Sequence, residues 1–265
     1  MATRKNIALV LSGGAARGLA HIGVIEELIA QGFNIKSITG TSMGAMVGAF
    51  HAMGKLEEFK NWVLKLNRYS VIRLMDFSFR GGFLKGEKVL DALQSVIPGK
   101  NIEDFDIPFC CLATDILTQS IVTFETGDIY EALRASYAIP SVFTPVAKNG
   151  MLLVDGGVLN NIPVDYAIKT KRRDVVLAVN VNARTAYKGM PSQKFRKNWN
   201  VWRLSNEVIS TMTEKIADLN LTQNPPDFMI NISRFSCELY EFYKAKKQIE
   251  FGRKCAREQL KNYTF

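Results

Sequence analysis

The sequence predicts an α/β protein of three layers, α/β/α, around a mainly parallel central sheet. Three observations point there. Residues 6–11 are apolar without alternation, as in a strand buried on both faces of a parallel sheet. They pass through the glycine loop Ser12-Gly13-Gly14-Ala15-Ala16-Arg17-Gly18 into a helical pattern carried by Leu19, Ile22, Ile25, Leu28 and Ile29. A second β-favouring run, residues 35–39, passes through Gly40-Thr41-Ser42-Met43-Gly44 into a helix of small residues, 45–53.

The second of these turns organises the rest of the chain. Strand, glycine-flanked serine and helix are the context of a nucleophile elbow, in which Gly40 and Gly44 let the backbone turn sharply and approach closely. Ser42 then stands at a helix N-terminus, where unpaired N–H groups favour a developing anion. A purely structural turn fits the five residues as well. The first loop has two other readings, and both fail. A dinucleotide fingerprint starting at Gly13 needs glycine where Ala15 stands, and no Gly-Lys-Ser/Thr follows for a phosphate loop. What remains is a loop whose backbone N–H groups can face an anion. Arg17 supports that loop, neutralises charge, or is an exposed arginine at a helix start.

Residues 56–66 form an amphipathic helical pattern. Residues 69–84 are aromatic and aliphatic but end in glycines, which suits a lid or lipid-facing flap as readily as core packing. Residues 87–96 are helical and stop at Pro98-Gly99. Strands follow at 109–116 and 120–124, and Asp128 caps a helix that runs to about residue 138, before Ile139-Pro140. Asn149-Gly150 joins strands 145–148 and 151–154 in a hairpin, and the second delivers Asp155-Gly156-Gly157. Later strands lie at 174–181 and 227–232. Two striped helices complete the chain, one through Leu204, Val208, Met212, Ile216 and Leu219, the other through Leu239, Phe242, Ala245, Ile249, Gly252, Ala256 and Leu260. Both are expected to pack on the sheet. They could equally face a second copy of the chain, which allows a homodimer.

A chain of 265 residues, 47% hydrophobic, can bury a substantial core as one domain. The expected unit is 1–265, with residues 203–262 packing on a core of about 5–182. The net charge of +9 implies an anionic partner, phospholipid or nucleic acid. Much of it sits between residues 183 and 203, which hold no acid but interleave Arg184, Lys188, Lys194, Arg196, Lys197 and Arg203 with Tyr187, Phe195, Trp199 and Trp202. Basic residues with tryptophans suit an anionic membrane surface. A nucleic-acid groove and a mobile loop use the same residues, but no nucleic-acid partner is expected. The cysteines Cys110, Cys111, Cys237 and Cys255 lack metal-ligand spacing. With no signal-peptide pattern and no apolar run of spanning length, the expected location is cytoplasmic, with peripheral contact at the inner membrane face.

A serine hydroxyl needs a base to take its proton. The chain has two histidines and neither follows Asp155, so the order Ser, Asp, His is not available. His51 lies nine residues beyond Ser42 on one helix, which turns it to the opposite face, and His21 could approach only through tertiary folding. Asp155 is the best candidate base. It ends an apolar strand, Gly156 and Gly157 leave room beside it, and burial there would raise its pKa. A simple Asp-Gly turn is the other reading.

Three motifs thus stand in order: Gly13-Gly14-Ala15-Ala16-Arg17-Gly18, Gly40-Thr41-Ser42-Met43-Gly44 and Asp155-Gly156-Gly157. With Arg134-Ala135-Ser136-Tyr137-Ala138-Ile139-Pro140, they resemble the patatin-like phospholipase family, specifically its bacterial single-domain members. The resemblance implies a serine acyl-lipid hydrolase that cleaves fatty-acyl esters of phospholipids or lysophospholipids through a Ser42-Asp155 dyad. It implies an oxyanion hole from the backbone around Gly13, Gly14 and Ala15, with Arg17 beside it. The implied mechanism requires neither a metal nor an organic cofactor. Ala15 replaces the family's third glycine, which matters if that position needs a positive φ. A regulatory or scaffold protein of the same fold, acting by lipid or protein binding, is the alternative.

Overall fold

Alternation inside the apolar run decides how the first strand is used. The computed structural model describes residues 5–76, 84–170, 174–184, 201–261 and 263, without the side chains of 201–203. In chain order the first elements are β1 (Lys5–Leu11), α1 (Ala20–Ala30), β2 (Phe33–Thr41), α2 (Met43–Ala52), α3 (Leu56–Leu64), α4 (Arg68–Arg73) and α5 (Glu87–Gln94). Then come β3 (Phe109–Asp115), β4 (Ser120–Phe124), α6 (Ile129–Ser136), β5 (Val146–Lys148) and β6 (Met151–Asp155). The last are β7 (Val175–Ala183), α7 (Val201–Gln223), β8 (Phe228–Ser233) and α8 (Ala245–Leu260). From β1, Ile7, Leu9 and Leu11 enter the larger core while Ala8 and Val10 enter a second core on the other sheet face. Both faces are covered, so the strand has no polar position to spare.

The eight strands form one mixed sheet in the order β5-β6-β3-β2-β1-β7-β8, with β4 also paired to β3. The pairs β8-β7, β7-β1, β1-β2 and β2-β3 are parallel, whereas β4 and β6 run antiparallel to β3 and β5 antiparallel to β6. The β5-β6 hairpin turns at Asn149 and Gly150, both with positive φ (50° and 78°), as the Asn-Gly pair implies.

One detail of this pairing places the site. β4 occupies Cys111 to Asp115 along one edge of β3, so β2 and β6 must share the other edge. There β2 ends with Thr41 opposite Leu112, and β6 ends with Asp155 opposite Ala113. Because β2 is parallel and β6 antiparallel to β3, the two strands run toward each other. Their last residues meet at neighbouring register positions.

Helices α1, α2, α3, α6 and α8 supply the larger core, and α7 covers the opposite face through Ala217. Here α7 departs from expectation: Leu204, Val208, Met212 and Leu219 do not pack on the sheet but are exposed. The helix turns Ile209, Ser210, Thr213 and Glu214 inward to line a polar cavity instead. Helix α8 begins at Ala245, so Leu239 and Phe242 lie in the turns before it. Within 69–84 the structure contains a short helix, α4, whose N-cap Asn67 and Ser70 form a reciprocal capping box. The rest of that stretch, 77–83, lies outside the described residues, but its ends are tied together by the Asp76 carboxylate, which accepts from Gly86 N at 2.7 Å and Glu87 N at 2.8 Å.

Helices α1 and α8 cross with their backbones in contact. A Cβ on Gly252 would stand 2.0 Å from Ala20 O, and one on Gly23 would stand 1.9 Å from Ile249 O. In an open helix Gly→Ala stabilises by about 1 kcal/mol. At this crossing the sign reverses, since the clash is with backbone that cannot rotate away. Gly252→Ala is therefore expected to destabilise the fold by roughly 1–3 kcal/mol in denaturant unfolding. A gain in stability would show that the helices can separate freely.

Candidate active site

Ser42 joins β2 to α2 with φ 54° and ψ −123°, a conformation that costs a non-glycine residue energy and that surrounding structure must enforce. The enforcement is visible on both sides. A Cβ on Gly40 would lie 2.7 Å from Ala45 N, and one on Gly44 would lie 2.3 Å from Leu11 O. The turn closes this tightly only because both positions lack side chains. The Ser42 N–H donates to Ser136 Oγ at 3.0 Å, and Thr41 Oγ1 donates to Asn160 O at 3.0 Å, so the turn is held from two other parts of the chain.

Asp155 arrives at the same place from the end of β6. Its N–H donates to Ala138 O, and its carboxylate accepts from Gly157 N at 2.7 Å. A Cβ on Gly156 would strike Leu112 O at 2.4 Å, so the strand end fits against β3 only as glycine. Burial is the dominant influence on the carboxyl and raises its pKa from 3.8 to about 6. A hydrogen bond from the Ser42 hydroxyl pulls the other way, and the Gly157 amide adds to it. Among the described residues, neither histidine lines the two cavities at Ser42.

The glycine loop after β1 is nearly saturated with hydrogen bonds. Ser12 N donates to Val179 O, and Gly13 N donates to Asn161 O at 3.1 Å. Ser12 O accepts from His21 Nε2 at 2.8 Å, and Gly13 O accepts from Asn182 Nδ2 at 2.6 Å. Gly14 O accepts from the Arg17 amide at 3.1 Å and from Arg17 Nε at 3.4 Å, while Ala16 N donates to Leu239 O at 3.0 Å. Among the described residues two donors of the loop have no partner, the N–H groups of Gly14 and Ala15, which precede and open a short 3-10 turn. Gly13, expected among the donors, is not one, since its N–H is taken by Asn161 O; a Cβ there would stand 2.5 Å from Asn161 Oδ1 and 3.2 Å from Ser42 Cβ. Ala15 does adopt a positive φ, 47°, so alanine bears some strain where glycine would bear none.

Two residues expected only in general terms have defined roles. Arg17 is buried, braces the loop through Gly14 O, and donates to Arg234 O at 3.3 Å. Burial and then the neighbouring Arg234 lower its pKa to about 10, which leaves it charged. His21 is fully buried with a pKa lowered to about 4 by burial, so it is neutral and its Nε2 carries the proton given to Ser12 O.

Two cavities meet at Ser42. One is almost wholly apolar and is walled by Met43, Met46, Phe59, Trp62, Leu74 and Phe143. The other is polar and is bounded by Asp155, Asn161, Asn182 and the α7 residues Ser210, Thr213 and Glu214. Ala15, Ser42, Ile139 and Tyr240 border both. Helix α7 is fastened over the polar cavity by Glu214, which pairs with Arg184 at 2.6 Å and with Arg234. Of the residues named for membrane contact, Lys194, Arg196, Lys197 and Trp199 lie outside the described residues, as does the Trp202 side chain. No group of acids, histidines and cysteines that could hold a metal occurs among the described residues, and no helix there is long and apolar enough to cross a membrane. Sequence reasoning gave no role to Ser136, Asn161, Asn182, His21 or Tyr240. The asparagine pair directly after the Asp-Gly-Gly turn was a readable signal for Asn161.

The α/β fold thus brings a strained serine and a buried aspartate together at opposed strand ends. Comparison with known proteins is consistent with this: the family model described as patatin-like phospholipase matches residues 9–168. An uncharacterized NTE family protein of Mycobacterium tuberculosis is 42% identical over 181 residues, covering 68% of this chain and 50% of that one. A lysophospholipase NTE1 of Coccidioides immitis is 31% identical over 188 residues, covering 68% of this chain and 12% of that one. Among solved structures, VipD from Legionella pneumophila aligns over 97% of this chain and 67% of that chain, at 14% identity and a TM-score of 0.47. The chain belongs to the patatin-like phospholipase family and has the patatin fold. It spans half the length of the mycobacterial relatives it matches.

The Asp155 pKa carries a stability consequence whose sign is fixed. A carboxyl raised from 3.8 to about 6 binds its proton more tightly folded than unfolded, so it destabilises the fold as pH climbs from about 4 to about 6 and beyond. Asp155→Asn removes that charge and keeps an acceptor for Gly157. The variant is expected to be more stable than wild type at pH 8 by on the order of 2–3 kcal/mol, with the difference vanishing below about pH 4. Thermal unfolding across that range reads it directly.

Proposed function

We propose that this protein is a serine hydrolase of fatty-acyl esters of phospholipids or lysophospholipids, with Ser42 as nucleophile and Asp155 as its base. The observation that carries the reading is the convergence at one point of a strained serine, a buried carboxyl in contact with its hydroxyl, and two unpartnered amides, between an apolar and a polar cavity. The apolar cavity fits an acyl chain and the polar one fits the alcohol or head-group side of the ester.

In the first step Ser42 Oγ attacks the ester carbonyl while Asp155 takes the hydroxyl proton. The carbonyl oxygen becomes an oxyanion facing the N–H groups of Gly14 and Ala15, each such donor being typically worth about 3 kcal/mol in the transition state. The intermediate collapses, the carbon–oxygen bond to the leaving alcohol breaks, and Asp155 returns its proton to that alcohol. Water then attacks the acyl-serine and gives its proton to Asp155, which passes it to Ser42 Oγ as the bond from Ser42 to the acyl carbon breaks and the fatty acid departs. Gly13 and Arg17 shape and brace the loop rather than donate to the oxyanion. The basic stretch with Lys194, Arg196, Lys197, Trp199 and Trp202 supports peripheral contact with an anionic membrane.

The test is a fluorophosphonate probe together with a soluble short-chain ester. Wild type should be labelled and Ser42→Ala should not, and labelling that persists in Ser42→Ala removes the nucleophile. Ester hydrolysis should rise with pH through a midpoint near 6 and stay flat above it, because the base works only when deprotonated. Asp155→Asn should fold but lose roughly a thousandfold or more in kcat. A rate independent of pH between 5 and 8 in wild type would rule out this carboxyl as the base.

A further inference from the structure

Helix α7 stands between two environments. Its inner side walls the polar cavity through Ile209, Ser210, Thr213 and Glu214 and reaches the smaller core through Ala217. Its outer side carries Leu204, Val208, Met212 and Leu219, which are 54%, 49%, 60% and 65% exposed. At about 100° per residue these four fall within about 80° of arc, a single apolar stripe along the helix. Long apolar stripes in contact with water mark binding faces.

The charges around the stripe indicate what binds. Lys215 lies on the same arc, exposed and paired with Asp218. The acids nearest the polar cavity do not oppose an anion, since Glu214 is paired with Arg184 and Arg234, and Glu207 reaches Arg234 at 3.5 Å. Immediately before the stripe, residues 183–203 contain six basic residues and no acid. An apolar helix face that carries one lysine and is preceded in the sequence by a basic stretch is the pattern of a helix lying in the surface of an anionic bilayer.

We propose that the Leu204–Val208–Met212–Leu219 face of α7 docks the protein on an anionic phospholipid surface. The proposal rests on the acyl-lipid hydrolase reading for its choice of occupant. Docking there sets the wall of the polar cavity against the head groups, so that an ester drawn from the surface enters beside Ser42. The ion pairs of Glu214 with Arg184 and Arg234 keep the helix seated while its outer side is in lipid.

The experiment compares co-sedimentation with phosphatidylcholine–phosphatidylglycerol vesicles and with phosphatidylcholine alone, using Ser42→Ala protein so that no lipid is consumed. The partner protein carries Leu204→Ser, Val208→Ser, Met212→Ser and Leu219→Ser in addition. Partitioning onto the anionic vesicles is expected to fall by on the order of tenfold or more. The same four substitutions placed on wild-type Ser42 should leave hydrolysis of a soluble short-chain ester unchanged, which also reports that the fold is intact. Equal pelleting of the two proteins, or no pelleting of either, overturns the proposal. So does a dimer that the four substitutions disperse while pelleting is unaffected, because a second copy then covers the face. If pelleting depends on the four residues but wild type cleaves no ester, docking stands and the hydrolase reading falls.

Discussion

Everything at the site depends on two strands sharing one edge of a third. β2 and β6 approach along the same side of β3 from opposite ends and stop at adjacent positions, opposite Leu112 and Ala113. A side chain just past the end of β2 and one at the end of β6 have no choice but to be neighbours. Ser42 and Asp155, more than a hundred residues apart in the chain, are brought into contact by sheet hydrogen bonding rather than by loop conformation. Strand register is stiff, because a one-residue slip would move every side chain to the other face. The contact is therefore as rigid as the core on either side of it.

The same logic explains why the surroundings are crowded with glycine and short polar side chains. Where two strand ends, a glycine loop and a helix N-terminus converge, there is no room for Cβ atoms at Gly13, Gly40, Gly44 or Gly156. Backbone groups that lose their sheet partners at such a junction must find others or remain costly. Ser136, Asn161 and Asn182 supply those partners from distant parts of the chain, and His21 supplies one from the helix that follows the loop. The hydrogen-bond accounting of the loop comes out almost complete. That two N–H groups beside Ser42 are left over is thus a specific feature of the loop, not a general looseness.

How much of this was readable in the sequence follows from the range of each interaction. Glycine turns between a strand and a helix are local events, so both loops, the Asn149-Gly150 hairpin and the Asp128 cap on α6 could be read directly, and so could the mainly parallel sheet that they imply. The partners of the loop could not. Ser136 lies 94 residues from Ser42 and Asn182 lies 169 from Gly13, and no periodicity encodes which polar residue will fall opposite which carbonyl. The α7 stripe shows a different limit. Its period identified a helix with an apolar face, and the usual rule sends that face inward. Here the inward face is needed as the wall of a polar cavity, so the apolar one is left outside. Helix α4 was legible in principle, from Asn67 and Ser70 at capping-box spacing, but a run of large apolar residues obscured it.

A carboxylate is an unpromising base for a serine hydroxyl, and in the proposed Ser42–Asp155 dyad burial would reduce the deficit. An aspartate in water has a pKa near 4, so at neutral pH it is charged but holds a proton poorly. Buried at the strand junction, Asp155 is raised to about 6, close to the ordinary range of a histidine. One bond, from the Gly157 amide, orients it, and it has few others that would stabilise its charge and undo the gain. A carboxyl with three amide donors would be pulled below 2 and would be useless in this role. In the proposed dyad, burial would supply what the histidine supplies in a Ser-His-Asp triad, and the cost is an unfavourable charge in the core above about pH 6. That cost is offset by the packing around β3, which forces the burial and is itself buried at every residue from Phe109 to Asp115.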